Sequence, residues 1–242
     1  MAQFTLAEVV RATNGIYKGN ETISFADVST DTRTITEGCL FVALKGDNFD
    51  GHNFLAKAQE MGAAGAVVDL GRTLEGFPCI EVPNTLKAYQ DLAHFHRRRF
   101  SIPVIAITGS SGKTTTKEMV AAVLATQLKV LKTEKNFNNE VGLPKTLLGL
   151  TEDHQACVVE MGMRGLGQIE ELALIAEPTV GLITNVGTSH IELLGSQEKI
   201  AQAKGELIAC LDENSIAILN ADDHYVAEMA NIAKGKTMTY GI

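Results

Sequence analysis

Tryptophan is absent, and aromatic residues make up only 5% of the 242 positions. The chain therefore has no series of rings on which nucleobases could stack. Positive charge is also scarce: 21 Lys and Arg against 29 Asp and Glu leave a net charge of −8, and Arg97-Arg98-Arg99 is the one basic run. Without a phosphate-backbone footprint, no nucleic-acid partner is expected. No apolar run approaches the length needed to span a bilayer. Met1-Ala2-Gln3-Phe4 lacks the basic and apolar regions of an export leader, so a cytoplasmic protein with no membrane span is expected. Cys39, Cys79, Cys157 and Cys210 lie far apart and form no C-x-x-C pair. That argues against a metal cluster or a disulfide framework and reads them as small core or surface residues.

What is present is apolar substance: a hydrophobic fraction of 45% is enough for one large core or two modest ones, and two domains are expected. Residues 1–84 mix short strand-like runs (Leu40 to Leu44, Ala66 to Val68, Ile80 to Val82) with a helical stretch near Phe54 to Met61. Lys45-Gly46-Asp47-Asn48 and Asp50-Gly51 supply the turns. Leu86, Tyr89, Leu92, Ala93 and His96 stand at helical spacing and predict a linker helix within 85–102, ended by Ser101-Ile102-Pro103. From 103 to 242 strand and helix alternate, as in a doubly wound, mostly parallel sheet. Four apolar runs there end in polar residues: Val104 to Ile107 at Thr108, Cys157 to Val159 at Glu160, Val180 to Ile183 at Thr184-Asn185, and Ala217 to Leu219 at Asn220. In such sheets ligands sit outside the carboxyl ends of strands, so the four ends describe one crevice.

The first of these ends carries the strongest signal. Val104-Ile105-Ala106-Ile107 runs into Thr108-Gly109-Ser110-Ser111-Gly112-Lys113-Thr114-Thr115. A buried strand that breaks into a glycine-rich turn and then a helix aims backbone N–H groups at one spot, which suits a phosphate. Lys113 would reach the β- and γ-phosphates and the Thr114 hydroxyl would ligate a bridging Mg²⁺. The pattern G-x-x-x-x-G-K-[ST] is incomplete, because Ile107 stands where its first glycine belongs.

Position alone settles less about the other ends. Glu160 after a buried run is either a Mg²⁺ carboxylate or a solvated acid at a strand end. His190 is a lone histidine in a polar segment, and lone histidines are more often structural than ligating. His190-Ile191-Glu192 matches half of a zinc deaminase signature, but no P-C-x-x-C follows. Lys204, in Ile200 to Leu207, reads as a helical lysine facing solvent.

The order of motifs adds a resemblance. Gly109 to Thr115 is followed by Asn136-Phe137-Asn138-Asn139-Glu140-Val141-Gly142-Leu143-Pro144, then Glu160-Met161-Gly162 and Asn185-Val186-Gly187-Thr188-Ser189-His190-Ile191-Glu192. Ala203-Lys204-Gly205-Glu206 and Leu219-Asn220-Ala221-Asp222-Asp223 complete the series. It resembles the Mur ligases, ATP-dependent peptidoglycan-precursor ligases, in which a phosphate loop without its first glycine is normal. Ser29 to Arg33, Gly38 to Gly46 and Phe49-Asp50-Gly51-His52 are similar to the family's UDP-substrate domain. The implied fold class is α/β: a small N-terminal UDP-substrate domain over 1–84, then a P-loop ATP-binding domain over 103–242. Lys117-Glu118-Met119 and the Asn-rich run point to the branch that joins D-alanyl-D-alanine to UDP-N-acetylmuramoyl-tripeptide. The branch adding the third stem residue is the alternative.

The resemblance implies that ATP phosphorylates the carboxylate of the UDP-linked peptide and that an amine attacks the acyl phosphate. Thr108 to Thr115 would hold ATP, with Asn220 and Asp223 on its adenine and ribose side. Thr114 and Glu160 would hold one Mg²⁺, and His190 with a carbamylated Lys204 a second. Asn138 and Asn139 would border the substrate carboxylate, and Thr30, Asp31, Arg33, Lys45 and Gly46 would take the uridine diphosphate. A monomer is expected. The family also carries a third domain, and with the sequence ending at Thr239-Tyr240-Gly241-Ile242 a fragment with an unfinished central domain is expected. Two other classes remain: a small-molecule kinase using the same loop, and a nucleotide- or UDP-sugar-binding module without catalysis.

Overall fold

Thr5 opens the first helix by a reciprocal cap. Its hydroxyl accepts from the Glu8 N–H while the Glu8 carboxylate accepts from the Thr5 N–H at 2.8 Å, which satisfies two otherwise orphaned donors. In the computed structural model, which describes residues 2–242, the chain divides into two units, Met1–Arg99 with Leu148–Thr151 and Phe100–Leu147 with Glu152–Ile242.

The first unit begins with β1 (Phe4–Thr5) and α1 (Leu6–Thr13), the latter closed by Asn14 in the left-handed region. β2 (Ser24–Phe25) pairs antiparallel with β1. β3 (Val28–Ser29) and β4 (Leu40–Val42) follow, then the hairpin of β5 (Lys45–Gly46) and β6 (Phe49–Asp50). A 3-10 turn leads into α2 (Leu55–Glu60), followed by β7 (Gly65–Asp69), β8 (Cys79–Val82) and α3 (Thr85–Arg97). A parallel four-stranded sheet, β3-β4-β7-β8, carries the core, with Phe41, Val68 and Phe77 packed against Leu55 and Ala58 of α2. The helix read from sequence as a linker falls in this unit. It packs along α1 and buries Ala88, Tyr89, Leu92 and Ala93. α1 itself was not among the expected elements.

The second unit contains β9 (Val104–Thr108), α4 (Lys113–Leu124), β10 (Val130–Lys132), α5 (Gly142–Leu148), β11 (Ala156–Glu160) and α6 (Gln168–Ala176). It continues with β12 (Val180–Ile183), α7 (Ile191–Leu194), α8 (Gln197–Cys210), β13 (Ile216–Asn220), α9 (His224–Glu228) and β14 (Lys236–Tyr240). Its six strands are all parallel in the order β10-β11-β9-β12-β13-β14. After β9 the chain runs out to β10, returns to β11, and then crosses to β12 on the other side of β9. The carboxyl ends of β9, β11 and β12 therefore meet where the winding reverses, the place where such sheets bind ligands. Ile105, Ile107, Val158 and Leu182 form the centre under Ala121 of α4. All four cysteines are free, three buried and Cys210 partly so.

Candidate active site

Gly109 and Gly112 hold the turn after β9, both with positive φ (152° and 77°). At Gly109 a Cβ would lie 1.8 Å from Thr184 Oγ1, so the close approach of the β12 end leaves room only for glycine. The turn is laced to that neighbour. Asn185 accepts from the Ser110 N–H with its carbonyl (3.0 Å) and from the Ser111 N–H with its side chain (3.1 Å), while Thr184 Oγ1 donates to the Ser111 carbonyl (2.6 Å). Two loop amides are thus already committed to Asn185. The N–H groups free for an anion are those of the first turn of α4, which have no intrahelical acceptor. Lys113 Nζ donates to the Gly109 carbonyl at 2.8 Å. Burial lowers the Lys113 pKa, and the nearby Glu160 charge opposes the shift.

Glu160, at the end of β11, is 2% exposed. Its Oε2 accepts from the Thr114 hydroxyl (2.9 Å) and its Oε1 from Asn138 Nδ2 (2.8 Å). A buried carboxylate held only by neutral donors, with a hydroxyl oxygen 2.9 Å away, offers the hard oxygen set a Mg²⁺ takes and fits that ion. Asn138 is fixed in turn by the Gly162 N–H, which donates to its carbonyl at 2.8 Å. Asn139 does different work: its Oδ1 accepts from the Gly142 N–H (2.9 Å) at the start of α5.

Thr108 is fully buried and donates to the Met161 carbonyl (2.9 Å), so its hydroxyl braces β9 against the β11 end instead of facing the crevice. Gly112 is the N-cap residue of α4, and Thr115 is exposed in its first turn. Asn220 and Asp223 also make internal contacts. Asn220 Nδ2 donates to the Thr184 carbonyl (2.9 Å), while Asp223 accepts from the Val186 N–H (2.8 Å) and caps α9 through the Val226 N–H (3.2 Å). His190 occupies the N-cap of α7 with φ 66°. Among the described residues no group of three or more His, Cys, Asp and Glu is placed to hold a metal. A second ion there would need donors of another kind.

Lys204 corrects the sequence reading. It is 2% exposed, not solvent-facing, and its pKa is pushed down to about 7, first by burial and then by the charge of Lys113. The lysine lies on the apolar face of α8. Ile200, Leu207 and Ile208, four residues before it and three and four after, are buried on the same face, while Glu206 accepts from the Gly167 and Glu170 N–H groups (2.7 and 3.1 Å) at the start of α6.

In the first unit Thr30, Asp31 and Arg33 share the loop between β3 and β4, and Lys45 and Gly46 stand exposed on the hairpin. Arg33 is not a bare cation, because Asp31 takes its guanidinium side-on (2.9, 3.1 and 2.6 Å). His52 ends the Phe49-Asp50-Gly51-His52 motif of the first unit, and the sequence assigns it no role. It is buried, its Nδ1 donating to Asp50 (2.7 Å) and its Nε2 accepting the Asp69 N–H (2.9 Å). The braces Thr184 and Asn185 were likewise missed as site residues, although the polar pair ending a buried run had marked them.

Comparison with known proteins decides the family. The Mur ligase middle domain matches residues 107–242, and the Mur ligase family catalytic domain matches residues 24–135. This chain belongs to the Mur ligase family. Among curated relatives, UDP-N-acetylmuramoyl-tripeptide–D-alanyl-D-alanine ligase of Synechocystis sp. is 52% identical over 92% of this chain and 50% of its own length. The Bacillus subtilis enzyme of that name is 42% identical over 98% of this chain and 51% of its own length. Among solved structures, MurF from Acinetobacter baumannii superposes with a TM-score of 0.93 at 34% identity, covering 99% of this chain and 53% of that one. MurF from Thermotoga maritima in complex with ADP gives 0.82 at 34% identity, covering 89% of this chain and 50% of that one. The chain spans about half the length of the curated relatives it matches. The fold class read from the motif order, an α/β first unit followed by a parallel P-loop unit, agrees with these Mur ligase neighbours. No helix among the described residues is long and apolar enough to cross a membrane.

Proposed function

We propose that this Mur ligase chain supplies the ATP site and the uridine-nucleotide site of an enzyme joining D-alanyl-D-alanine to UDP-N-acetylmuramoyl-tripeptide. The observation that carries the reading is the Thr114–Glu160–Asn138 constellation beside Lys113, at the reversal of the sheet, in a chain whose relatives bear that ligase name. ATP would seat its phosphates on the first turn of α4 under Lys113, with Mg²⁺ held by Thr114 and Glu160 to offset phosphate charge. Phosphoryl transfer to the peptide carboxylate produces an acyl phosphate, and attack by the amine of D-alanyl-D-alanine forms the amide and releases phosphate. The chain's own part is positioning and charge neutralisation.

Lys204 fits the family's carbamylated lysine on physical grounds. An amine with its pKa pushed down to about 7 is largely neutral in mildly alkaline solution and so nucleophilic toward CO₂, and its carbamate together with His190 would offer ligands to a second hard cation. Asn220 and Asp223 would act on the adenosine side by holding the 184–187 segment. Thr30, Asp31, Arg33, Lys45 and Gly46 would take the uridine diphosphate, with Asp31 orienting the Arg33 guanidinium. Residues 1–84 and 103–242 would be the two functional domains, and a cytoplasmic monomer is the proposed setting.

The test is phosphate release from ATP with UDP-N-acetylmuramoyl-tripeptide, with and without D-alanyl-D-alanine, together with mass spectrometry of the product. Release that requires both substrates and yields the pentapeptide supports the reading. A stable phosphorylated hydroxyl product makes the chain a kinase.

A further inference from the structure

Lys117 is the least expected buried residue of the second unit. It lies on α4 one turn beyond Lys113, and its side chain is 1% exposed. Its Nζ donates to the Thr133 carbonyl at 2.8 Å and lies 2.9 Å from Glu118 Oε1, a carboxylate that Lys132 also engages. A buried ammonium carries a desolvation cost that an apolar residue of the same length would avoid, so its hydrogen bonds must do something an apolar contact cannot. They end on Thr133, which is fully buried just past β10. Thr133 extends the sheet by donating its N–H to the Val158 carbonyl (2.9 Å), and its Oγ1 accepts the Glu160 N–H (3.0 Å). The series therefore runs from the Lys117 ammonium to the Thr133 backbone, from the Thr133 hydroxyl to the Glu160 backbone, and from the Glu160 carboxylate to Thr114. Thr114 lies on the same helix as Lys117, three residues before it, so the loop of contacts closes on α4.

We propose that Lys117 and Thr133 are positioning residues that fix the Glu160 backbone so that its carboxylate meets Thr114 in the geometry a divalent cation requires. This rests on reading Thr114 and Glu160 as the Mg²⁺ pair. Neither side chain opens onto the crevice: Lys117 directs its donors to Thr133 and Glu118, and the fully buried Thr133 hydroxyl is enclosed against the β11 backbone. Outer partners of a metal ligand commonly govern metal affinity by 10- to 100-fold, on the order of what is expected here.

The experiment uses the whole 242-residue chain and measures ADP affinity by calorimetry with and without Mg²⁺, so that the ratio isolates the metal-dependent part. Thr133→Val keeps the shape and the Lys117 contact but removes the acceptor for the Glu160 N–H, and Thr133→Ser restores it. Thr133→Val should cut the Mg²⁺ enhancement about tenfold with the metal-free affinity retained, Thr133→Ser should recover it, and Lys117→Met should reproduce the loss. Glu160→Gln separates the two layers of the argument. If it leaves the Mg²⁺ enhancement intact, or the unaltered chain shows none, the metal reading fails and the positioning role falls with it. If Glu160→Gln removes the enhancement while folded Thr133→Val keeps it in full, the positioning role alone is overturned. An equal loss in metal-free affinity also overturns it, since that marks a general structural effect. Should Lys117→Met not fold, the Thr133 pair decides.

Discussion

Lys204→Met should make the ligand-free protein more stable. The lysine lies 2% exposed on α8 and titrates near 7 in the fold, against 10.5 for an ordinary lysine. Burial is the larger cause and the charge of Lys113 the second. Between those two values the unfolded chain binds a proton that the folded chain resists, so stability rises with pH across that interval. The full contribution is present above pH 10.5, is lost as the pH falls, and is gone once the lysine is protonated in the fold, below about 7. By linkage the deficit amounts to about 4 kcal/mol at pH 7 and about 1 kcal/mol at pH 9.5. Methionine keeps the apolar stem and carries no charge, so it should recover most of that deficit.

The assay is urea unfolding of the second unit followed by circular dichroism, wild type against variant, at both pH values. The gain should be largest at pH 7 and shrink toward pH 9.5. A gain below about 1 kcal/mol at pH 7, or one that does not shrink with pH, would refute the reasoning. Repeating the comparison in a Lys113→Met background should reduce the gain, because one of the two causes is then gone. The same variant should lose any stabilisation that bicarbonate with Mg²⁺ gives the wild type, since a ligand raises stability only through the state it binds. Stability gained and function lost together is what a strained site predicts.

Three further outcomes follow from the same geometry. Lys113→Ala should weaken Mg·ATP binding by about 10- to 100-fold, the worth of a charge-assisted contact of 1.5 to 3 kcal/mol, without unfolding the chain. Calorimetry giving unchanged affinity in a folded variant would count against it. Gly109→Ala places a Cβ 1.8 Å from Thr184 Oγ1 and should cost about 2 to 3 kcal/mol. Adding Thr184→Ala should recover part of that cost, and a fully stable single variant would contradict the close approach. His96 in the first unit is 3% exposed and donates from Nε2 to the Leu150 carbonyl (3.0 Å). Burial holds its pKa down to about 4 against 6.5. The unfolded chain takes up that proton first, so about 3 kcal/mol is lost as the pH falls from 6.5 to about 4. His96→Gln, which keeps a donor for Leu150 and cannot titrate in this range, should flatten the acid side of the stability profile. An unchanged slope would show the loss arises elsewhere.

What the sequence made legible follows from how each element meets solvent. Strands buried on both faces read as unbroken apolar runs, so β9, β11 and β12, and with them β13, half-buried on one face but apolar from Ile216 to Leu219, could be found with their polar ends without coordinates, and the crevice with them. β10 is three half-buried residues and β14, Lys-Thr-Met-Thr-Tyr, is mostly exposed, so neither carries the apolar density that marks a strand. α1 was readable in principle, because Thr5 and Glu8 are spaced as a capping box before Leu6, Val9 and Val10.

Lys204 and Lys117 were passed over for a common reason. Each stands on the apolar stripe of its own helix, Lys204 with Ile200, Leu207 and Ile208 and Lys117 with Val120, Ala121 and Leu124, but a lysine is assigned to solvent by its residue type. What the spacing does not show is how each charge is accommodated: the Thr133 carbonyl past β10 receives the Lys117 ammonium, and burial pushes the Lys204 pKa down to about 7. Both are places where spacing and residue type disagree, because burying a cation is costly. Such disagreements persist where the surroundings compensate and the chemistry requires the group. Lys204 and Lys117 break the pattern beside the phosphate loop and Glu160, so their burial is itself evidence for where the charge-handling centre of this chain lies.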